Sequence, residues 1–236
     1  MFMKLEWHYQ TIRQRVEKLS DFSEEELMRS RQLFHLAGAT IVPRNFEVWT
    51  CLVGLPLPHQ LTENFQRIIQ QITEQLPPKT RFYPVLPPNY HSEVFIIKRP
   101  EEAVEGEDLQ TIPTILGELL AKQPPLTISY RGFLITPDGT IIVKGYGDFQ
   151  QLRTQLRQYI PFASPQQSNL GHVSLGRILD SVGRESFTTL KSLVQNSWQE
   201  LYGELTVREV KYVHESQWYM EEHEIIATVP FSIATS

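Results

Sequence analysis

His172 and Ser174 have side chains that could support acid–base and anion-binding chemistry. They lie two residues apart in Gly171-His172-Val173-Ser174-Leu175-Gly176-Arg177-Ile178, which reads as a short strand. Side chains alternate across a strand, so this imidazole and this hydroxyl would share one face. A rigid pair of this kind can bind an anion and transfer a proton. A lone His-x-Ser pair can equally line the wet face of a sheet, so the motif alone is weak evidence.

A second histidine, His91, occurs in a matching place in the first half of the chain. It opens the apolar segment Tyr90-His91-Ser92-Glu93-Val94-Phe95-Ile96-Ile97. Both halves then show the same order: strand, helix, histidine strand, helix, and a hairpin that begins Leu-Thr. The two Leu-Thr pairs are Leu126-Thr127 and Leu205-Thr206, and their similar offsets indicate an internal duplication. We therefore expect two lobes whose histidine strands face one cleft.

The elements that must position these residues follow from hydrophobic periodicity and from Pro and Gly breaks. Residues from about 5 to 36 read as helical, with a capping box at Ser23 and Glu26. We assign residues 1–40 to an N-terminal helical extension and residues 41–236 to a bilobal domain. Within that domain the predicted helices span 61–76, 113–122, 149–160 and 185–201, after an acidic loop at 101–108. The predicted strands are 46–55, 81–86, 91–97, 126–135, 141–143, 171–178, 205–213 and 224–229.

Composition narrows the functional class. The chain has 236 residues and a formal net charge of −5, which argues against tracking along nucleic acid but does not exclude a small nucleotide or an RNA end as the partner. No apolar run is long enough to span a membrane, and Met1 to Glu6 lacks a signal-peptide pattern, so a cytoplasmic location is expected. The single cysteine, Cys51, lies in an apolar stretch and is predicted to be a buried structural thiol.

The two histidine segments resemble those of the two-histidine (2H) phosphoesterase superfamily, which includes cyclic phosphodiesterases and the LigT-like proteins. The resemblance covers about residues 44 to 230. It implies an α+β fold with two pseudo-symmetric lobes of antiparallel sheet, helices outside and a central cleft. It also implies metal-independent phosphodiesterase activity without a cofactor, with His91 and His172 as the proton-transfer pair and Ser174 as a phosphate ligand. Two imidazoles can exchange acid and base roles near neutral pH.

Glu93 departs from that family pattern, which places Thr or Ser there. A carboxylate accepts hydrogen bonds and would repel a phosphate. The site could have lost its activity and kept the fold for binding a ligand or partner. Alternatively, Glu93 is protonated, points away, or pairs with Arg177 or Lys98. A metal site formed by His91, Glu93 and His172 is a third, weakly supported hypothesis.

Further candidates flank the two motifs. Tyr90 and Tyr130 could stack on a base in the cleft, although packing is the alternative for aromatic residues on strands. Arg177 would face away from Ser174 in a regular strand, unless Gly176 marks a bulge. His223 is expected to be solvated in a polar loop. The oligomeric state is not predicted.

Overall fold

The computed structural model describes residues 2–38 and 40–232, and within them the chain forms six α-helices and eleven strands. The helices are α1 (Phe2–Glu17), α2 (Glu24–Arg31), α3 (His59–Thr73), α4 (Gly106–Leu120), α5 (Phe149–Tyr159) and α6 (Gly183–Ser197). The strands are β1 (Phe34–Ala37), β2 (Thr40–Pro43), β3 (Asn45–Val53), β4 (Phe82–Pro84), β5 (Ser92–Lys98), β6 (Leu126–Ile135), β7 (Thr140–Tyr146), β8 (Val173–Ile178), β9 (Leu201–Val207), β10 (Glu209–Gln217) and β11 (His223–Pro230).

One curled antiparallel sheet organises the domain, in the order β11-β10-β3-β5-β8-β7-β6-β9, with β4 added beside β8. The two histidine strands, β5 and β8, are central neighbours. They divide the sheet into a first lobe (β11, β10, β3, β5) and a second lobe (β8, β7, β6, β9), related by approximate two-fold symmetry. The predicted α+β class with two pseudo-symmetric lobes is confirmed.

The helices cross between the lobes and tie them together. α3 follows the first-lobe strand β3 but packs on β8 and β9, whereas α5 follows the second-lobe strand β7 but packs on β5. α4 lies against β11, and α6 lies against β6. One hydrophobic cluster therefore extends through both lobes, and burial of its apolar surface holds the two histidine strands in a fixed relation.

The C-terminal strand prediction is corrected by this topology. Leu126 pairs with Val207 and Thr127 pairs with Thr206, so the two Leu-Thr segments are direct partners rather than equivalent copies. Two-fold symmetry instead relates β6 to β10. The predicted strand 205–213 breaks at Arg208, where β9 ends and the chain crosses to the first lobe. Arg208 and Glu209 are both exposed, so the alternation of buried and exposed side chains is interrupted where β9 ends.

The start of α4 also differs from the prediction. α4 begins at Gly106, so part of the expected acidic loop forms its first turn and Pro113 lies in its interior. Glu107 and Asp108 stabilise this N-terminus because their charges oppose the positive end of the helix dipole. No helix in the described ranges is long and apolar enough to cross a membrane. Cys51 is fully buried, as expected.

The N-terminal extension is anchored to the second lobe. Ser23 caps α2 by accepting the Glu26 N–H at 3.2 Å, as the capping box predicts, whereas residues 34–36 belong to the β1–β2 hairpin and not to a helix. α1 packs on β6 and β7. The Tyr9 hydroxyl, fully buried, accepts the N–H groups of Gly145 and Gly171, both at 3.2 Å. α1 therefore holds the backbone directly before His172.

Candidate active site

The two histidines immediately precede β5 and β8, which are antiparallel and meet at the pair Ser92–Val173. Extending this register by one residue places His91 opposite Ser174 and Glu93 opposite His172. Side chains directly opposite on an antiparallel pair have Cβ atoms about 4.5–5.5 Å apart. All four are half-buried, whereas Ser92 and Val173 between them are fully buried on the other face. The structure therefore brings these four predicted residues together on one face.

The geometry of His91 defines which nitrogen is available. Its Nδ1–H donates to the Asn89 carbonyl at 2.8 Å, because a carbonyl can only accept, and Nε2 is left for proton transfer. Burial lowers the pKa of His91 below its usual value; the bond to Asn89 opposes this shift, and the nearby His223 adds to it. The neutral imidazole is therefore favoured at neutral pH.

His172 is more strongly perturbed. Burial lowers its pKa to about 4, and the charges of His91 and Arg153 contribute in the same direction. Its Nδ1 is buried and finds no hydrogen-bond partner in the described part of the chain. In the extended register His172 is the diagonal neighbour of His91, at a separation of about 7–8 Å that long side chains can span. A neutral imidazole of this kind suits a general base.

Glu93 lies on the same face as the histidines, and neither Arg177 nor Lys98 pairs with it. Arg177 binds Asp138 at 3.0 Å and Lys98 lies 3.6 Å from Glu47, so the alternative in which Glu93 pairs with one of these two cations is wrong. Burial raises the pKa of Glu93, while Arg99 and Arg153 oppose that shift.

A bulge in β8 brings Arg177 to the face of Ser174. Ile142 pairs with Ser174 and Ile141 with Gly176, which leaves Leu175 as the extra residue, and Thr140 pairs with Arg177. Thr140 and Ile142 share one face of β7, so their partners do as well. Arg177 Nη1 donates to Ser30 Oγ at 2.8 Å as well as to Asp138. This guanidinium thus links the site to the N-terminal extension.

The predicted ligand-stacking role of two tyrosines is corrected. Tyr90 and Tyr130 are 1% and 0% exposed and lie in the core. The Tyr130 and Ser92 hydroxyls are hydrogen-bonded at 3.0 Å on the face opposite His91, and the Tyr130 ring packs edge-on against Phe65. Both tyrosines support the first histidine strand from the core side and are not accessible to a base.

Sequence reasoning missed Arg153 of α5, which joins the two histidine segments. Its side chain is buried, and its Nε donates to the Val94 carbonyl at 2.7 Å. Its Nη2 donates to the carbonyls of Glu93 at 3.1 Å and Leu170 at 2.6 Å. The available signal was a charge on the apolar stripe of α5, between Leu152 and Leu156.

The turn between β10 and β11 was also missed as part of the site. Tyr219 and Met220 have φ of 65° and 59°, left-handed values that are strained for bulky residues. The buried Glu215 carboxyl accepts the Met220 N–H at 2.9 Å and holds this conformation. Burial raises the pKa of Glu215 to about 8, with a further contribution from Glu93. Met220 belongs to a buried cluster with Leu52, which pairs with Glu93, so the turn lies against the first-lobe half of the site.

His223 follows this turn and was expected only to be solvated. It is exposed, and its charge contributes to the lowered pKa of His91. Its Nδ1–H donates to the Met220 carbonyl at 2.8 Å, which leaves Nε2 free. Across residues 2–38 and 40–232, no three His, Cys, Asp or Glu side chains are arranged to hold a metal ion, so the metal hypothesis for His91, Glu93 and His172 is not supported.

Replacing Arg153 with methionine should destabilise the fold by about 3 kcal/mol, since it leaves three carbonyls without their donor. Urea unfolding followed by circular dichroism measures the change. Arg184, exposed on α6, gives the matched control, because Arg184→Met removes the same charge without such contacts. Equal stability of the two variants would contradict a bridging role for Arg153.

The comparisons with known proteins agree with this architecture. No protein-family model and no curated protein sequence matches the chain. Among solved structures, TT0787 of Thermus thermophilus is similar with a TM-score of 0.54 and 15% identity, covering 78% of this chain and 97% of that one. E. coli LigT complexed with phosphate is similar with a TM-score of 0.52 and 16% identity, covering 80% of this chain and 99% of that one. A conserved Agrobacterium tumefaciens protein of unknown function, ATU0111, is similar with a TM-score of 0.58 and 12% identity, covering 83% of this chain and 89% of that one.

The chain has the fold seen in E. coli LigT, with a histidine strand from each lobe at its centre. At these identities the likeness establishes the fold alone. The case for chemistry depends on the side chains described above.

Proposed function

We propose that this protein is a phosphodiesterase that hydrolyses a cyclic phosphodiester of a nucleotide or RNA end without a metal ion. The observation that carries the proposal is the placement of His91, His172 and Ser174 on one face at the centre of the sheet. Crystal structures of E. coli LigT contain phosphate and 3′-AMP, which supports a phosphate-containing ligand.

In the proposed reaction His172 acts as the base and His91 as the acid. Neutral His172 removes a proton from water, whose oxygen forms a new bond to phosphorus. The bond between phosphorus and one ribose oxygen breaks, and protonated His91 Nε2 gives its proton to that leaving oxygen. Ser174 Oγ donates a hydrogen bond to a phosphate oxygen. The ring opens to a phosphomonoester, and proton transfer between the histidines through solvent restores the starting state.

The direct test is phosphorus NMR of adenosine 2′,3′-cyclic phosphate incubated with the protein in the presence of EDTA. We expect the cyclic phosphate resonance to be replaced by that of a phosphomonoester. A cyclic phosphate that stays intact at high protein concentration would contradict the proposal.

The pH dependence of kcat/KM should be bell-shaped, with its maximum below pH 6.5. The base must be neutral, so activity rises as pH increases through about 4, the pKa of His172. The acid must be protonated, and the pKa of His91 is below its usual value, so activity falls before neutrality. Initial rates at low substrate between pH 3.5 and 8 measure this. A maximum above pH 7 would contradict the assignment.

A second candidate is a binding protein on the same fold without hydrolytic activity. Glu93, opposite His172, is the observation that favours it, since a carboxylate there opposes the charge that develops on phosphate. Calorimetry that detects binding of a cyclic nucleotide, combined with an unchanged phosphorus spectrum, would favour this candidate over the enzyme.

A further inference from the structure

A pocket lies beside the N-terminal helix, next to the segment that precedes His172. It has a volume of about 360 Å³ and is enclosed by α1, the start of α5 and the segment before β8. Its polar lining comes from Lys4, His8, Gln150, Arg153 and Asn169. A volume in this range accommodates a small ligand group.

The pocket is cationic although the chain as a whole carries a net charge of −5. Lys4 and Arg153 line it, and none of its lining residues is acidic. Asp148 is adjacent in sequence, but its carboxylate caps α5 by accepting the Gln151 N–H at 3.1 Å and lines another groove. Glu6 of α1 is bound to Tyr146 at 2.5 Å and to Trp198 at 3.0 Å, which are not among the pocket residues. No carboxylate therefore lines the pocket, although Glu93 interacts with Arg153 from the histidine face.

Arg153 retains donors for a ligand. Its bonds to the backbone use Nε and Nη2, and no partner for Nη1 is found in the described ranges. A guanidinium presents five N–H donors in a fixed plane, so a group held by three backbone bonds is already oriented. Lys4 and His8 are one helical turn apart on α1 and lie on the same side of the helix.

The pocket adjoins the segment that leads into His172. Arg153 donates to the Leu170 carbonyl, two residues before His172, and Asn169 lies next to Leu170. Tyr9, the neighbour of His8, accepts the Gly171 N–H. The contacts that fix the segment before His172 therefore also border the pocket.

We propose that this pocket is a second phosphate subsite, formed in part by the N-terminal helix, and that the substrate is a nucleotide with at least two phosphate groups. One phosphate would lie between His91 and His172, an assignment that rests on the proposed function. The other would accept charge-assisted hydrogen bonds from Lys4, His8 and Arg153 Nη1. The N-terminal extension then sets substrate specificity as well as stabilising the fold.

Calorimetric titration with two probes tests the subsite. Adenosine 2′-monophosphate reaches the histidine site only, whereas adenosine 2′,5′-bisphosphate carries a second phosphate. We expect the bisphosphate to bind on the order of tenfold more tightly, the factor that one charge-assisted hydrogen bond provides. The double variant Lys4→Gln/His8→Gln should lose this advantage and keep its affinity for the monophosphate. Lys18→Gln, which removes an exposed lysine after the end of α1, is the matched control and should behave as wild type.

The outcomes separate the two proposals. Equal affinity of the wild type for both nucleotides, or an advantage that survives the double variant, would overturn the subsite. If neither nucleotide binds, the assignment of the histidine site fails, and the subsite is tested alone with inorganic pyrophosphate. In that titration the NMR signals of the His8 imidazole should shift in the wild type and not in Lys4→Gln. Unchanged His8 signals in the wild type would overturn the subsite independently.

Discussion

His91→Ala and His172→Ala are each expected to reduce hydrolysis of a 2′,3′-cyclic nucleotide by about 10²- to 10⁴-fold, the usual contribution of one general acid or base. The two side chains act in one step, so the double variant should be only slightly worse than either single variant. Neither imidazole fills the core: both are half-buried on the face of the sheet, so circular dichroism should show an unchanged fold.

His59→Ala provides the control, because this exposed histidine at the start of α3 lies outside the site. It should keep full activity, as should the wild type in EDTA. A single histidine variant that keeps more than a tenth of the wild-type rate would exclude its residue from proton transfer. Loss of activity in EDTA that a divalent ion restores would instead favour a metal mechanism.

Glu93→Thr should bind adenosine 2′-monophosphate about 10- to 100-fold more tightly than the wild type at neutral pH. Two like charges about 4 Å apart repel by about 4 kcal/mol at an effective dielectric of about 20. Solvent and the nearby Arg99 and Arg153 reduce this repulsion, so the expected gain in affinity is smaller than the full repulsion would give. Threonine removes the carboxylate, adds a donor and suits a strand.

Glu93→Gln separates the two causes, because it removes the charge without adding a hydroxyl. Burial raises the pKa of Glu93, so the wild-type carboxyl loses charge as the pH falls, and the difference between wild type and variant should shrink in acid. Calorimetry at two pH values measures this. Unchanged or weaker binding by Glu93→Thr would show that the carboxyl does not face the phosphate.

Much of the site follows from local alternation in the sequence. His91 and Glu93, like His172 and Ser174, are two residues apart, so each pair shares a face once its segment is extended. The same rule places Tyr90 next to Ser92 on the opposite face, and the structure buries both. Applied strictly, alternation would have removed Tyr90 from the candidate ligands.

Sequence alone also determined the amphipathic helices α3 and α5, the β6–β7 hairpin and the presence of two histidine strands, because each depends on periodicity or turn residues within a short window. Tertiary structure decided which strands are neighbours. That choice made β5 and β8 adjacent, turned Arg177 towards Ser174 through a bulge, and placed Arg153, Tyr9 and the turn at Tyr219 around the histidines. These contacts join residues far apart in the chain, and their energies depend on burial and partners that no local pattern contains.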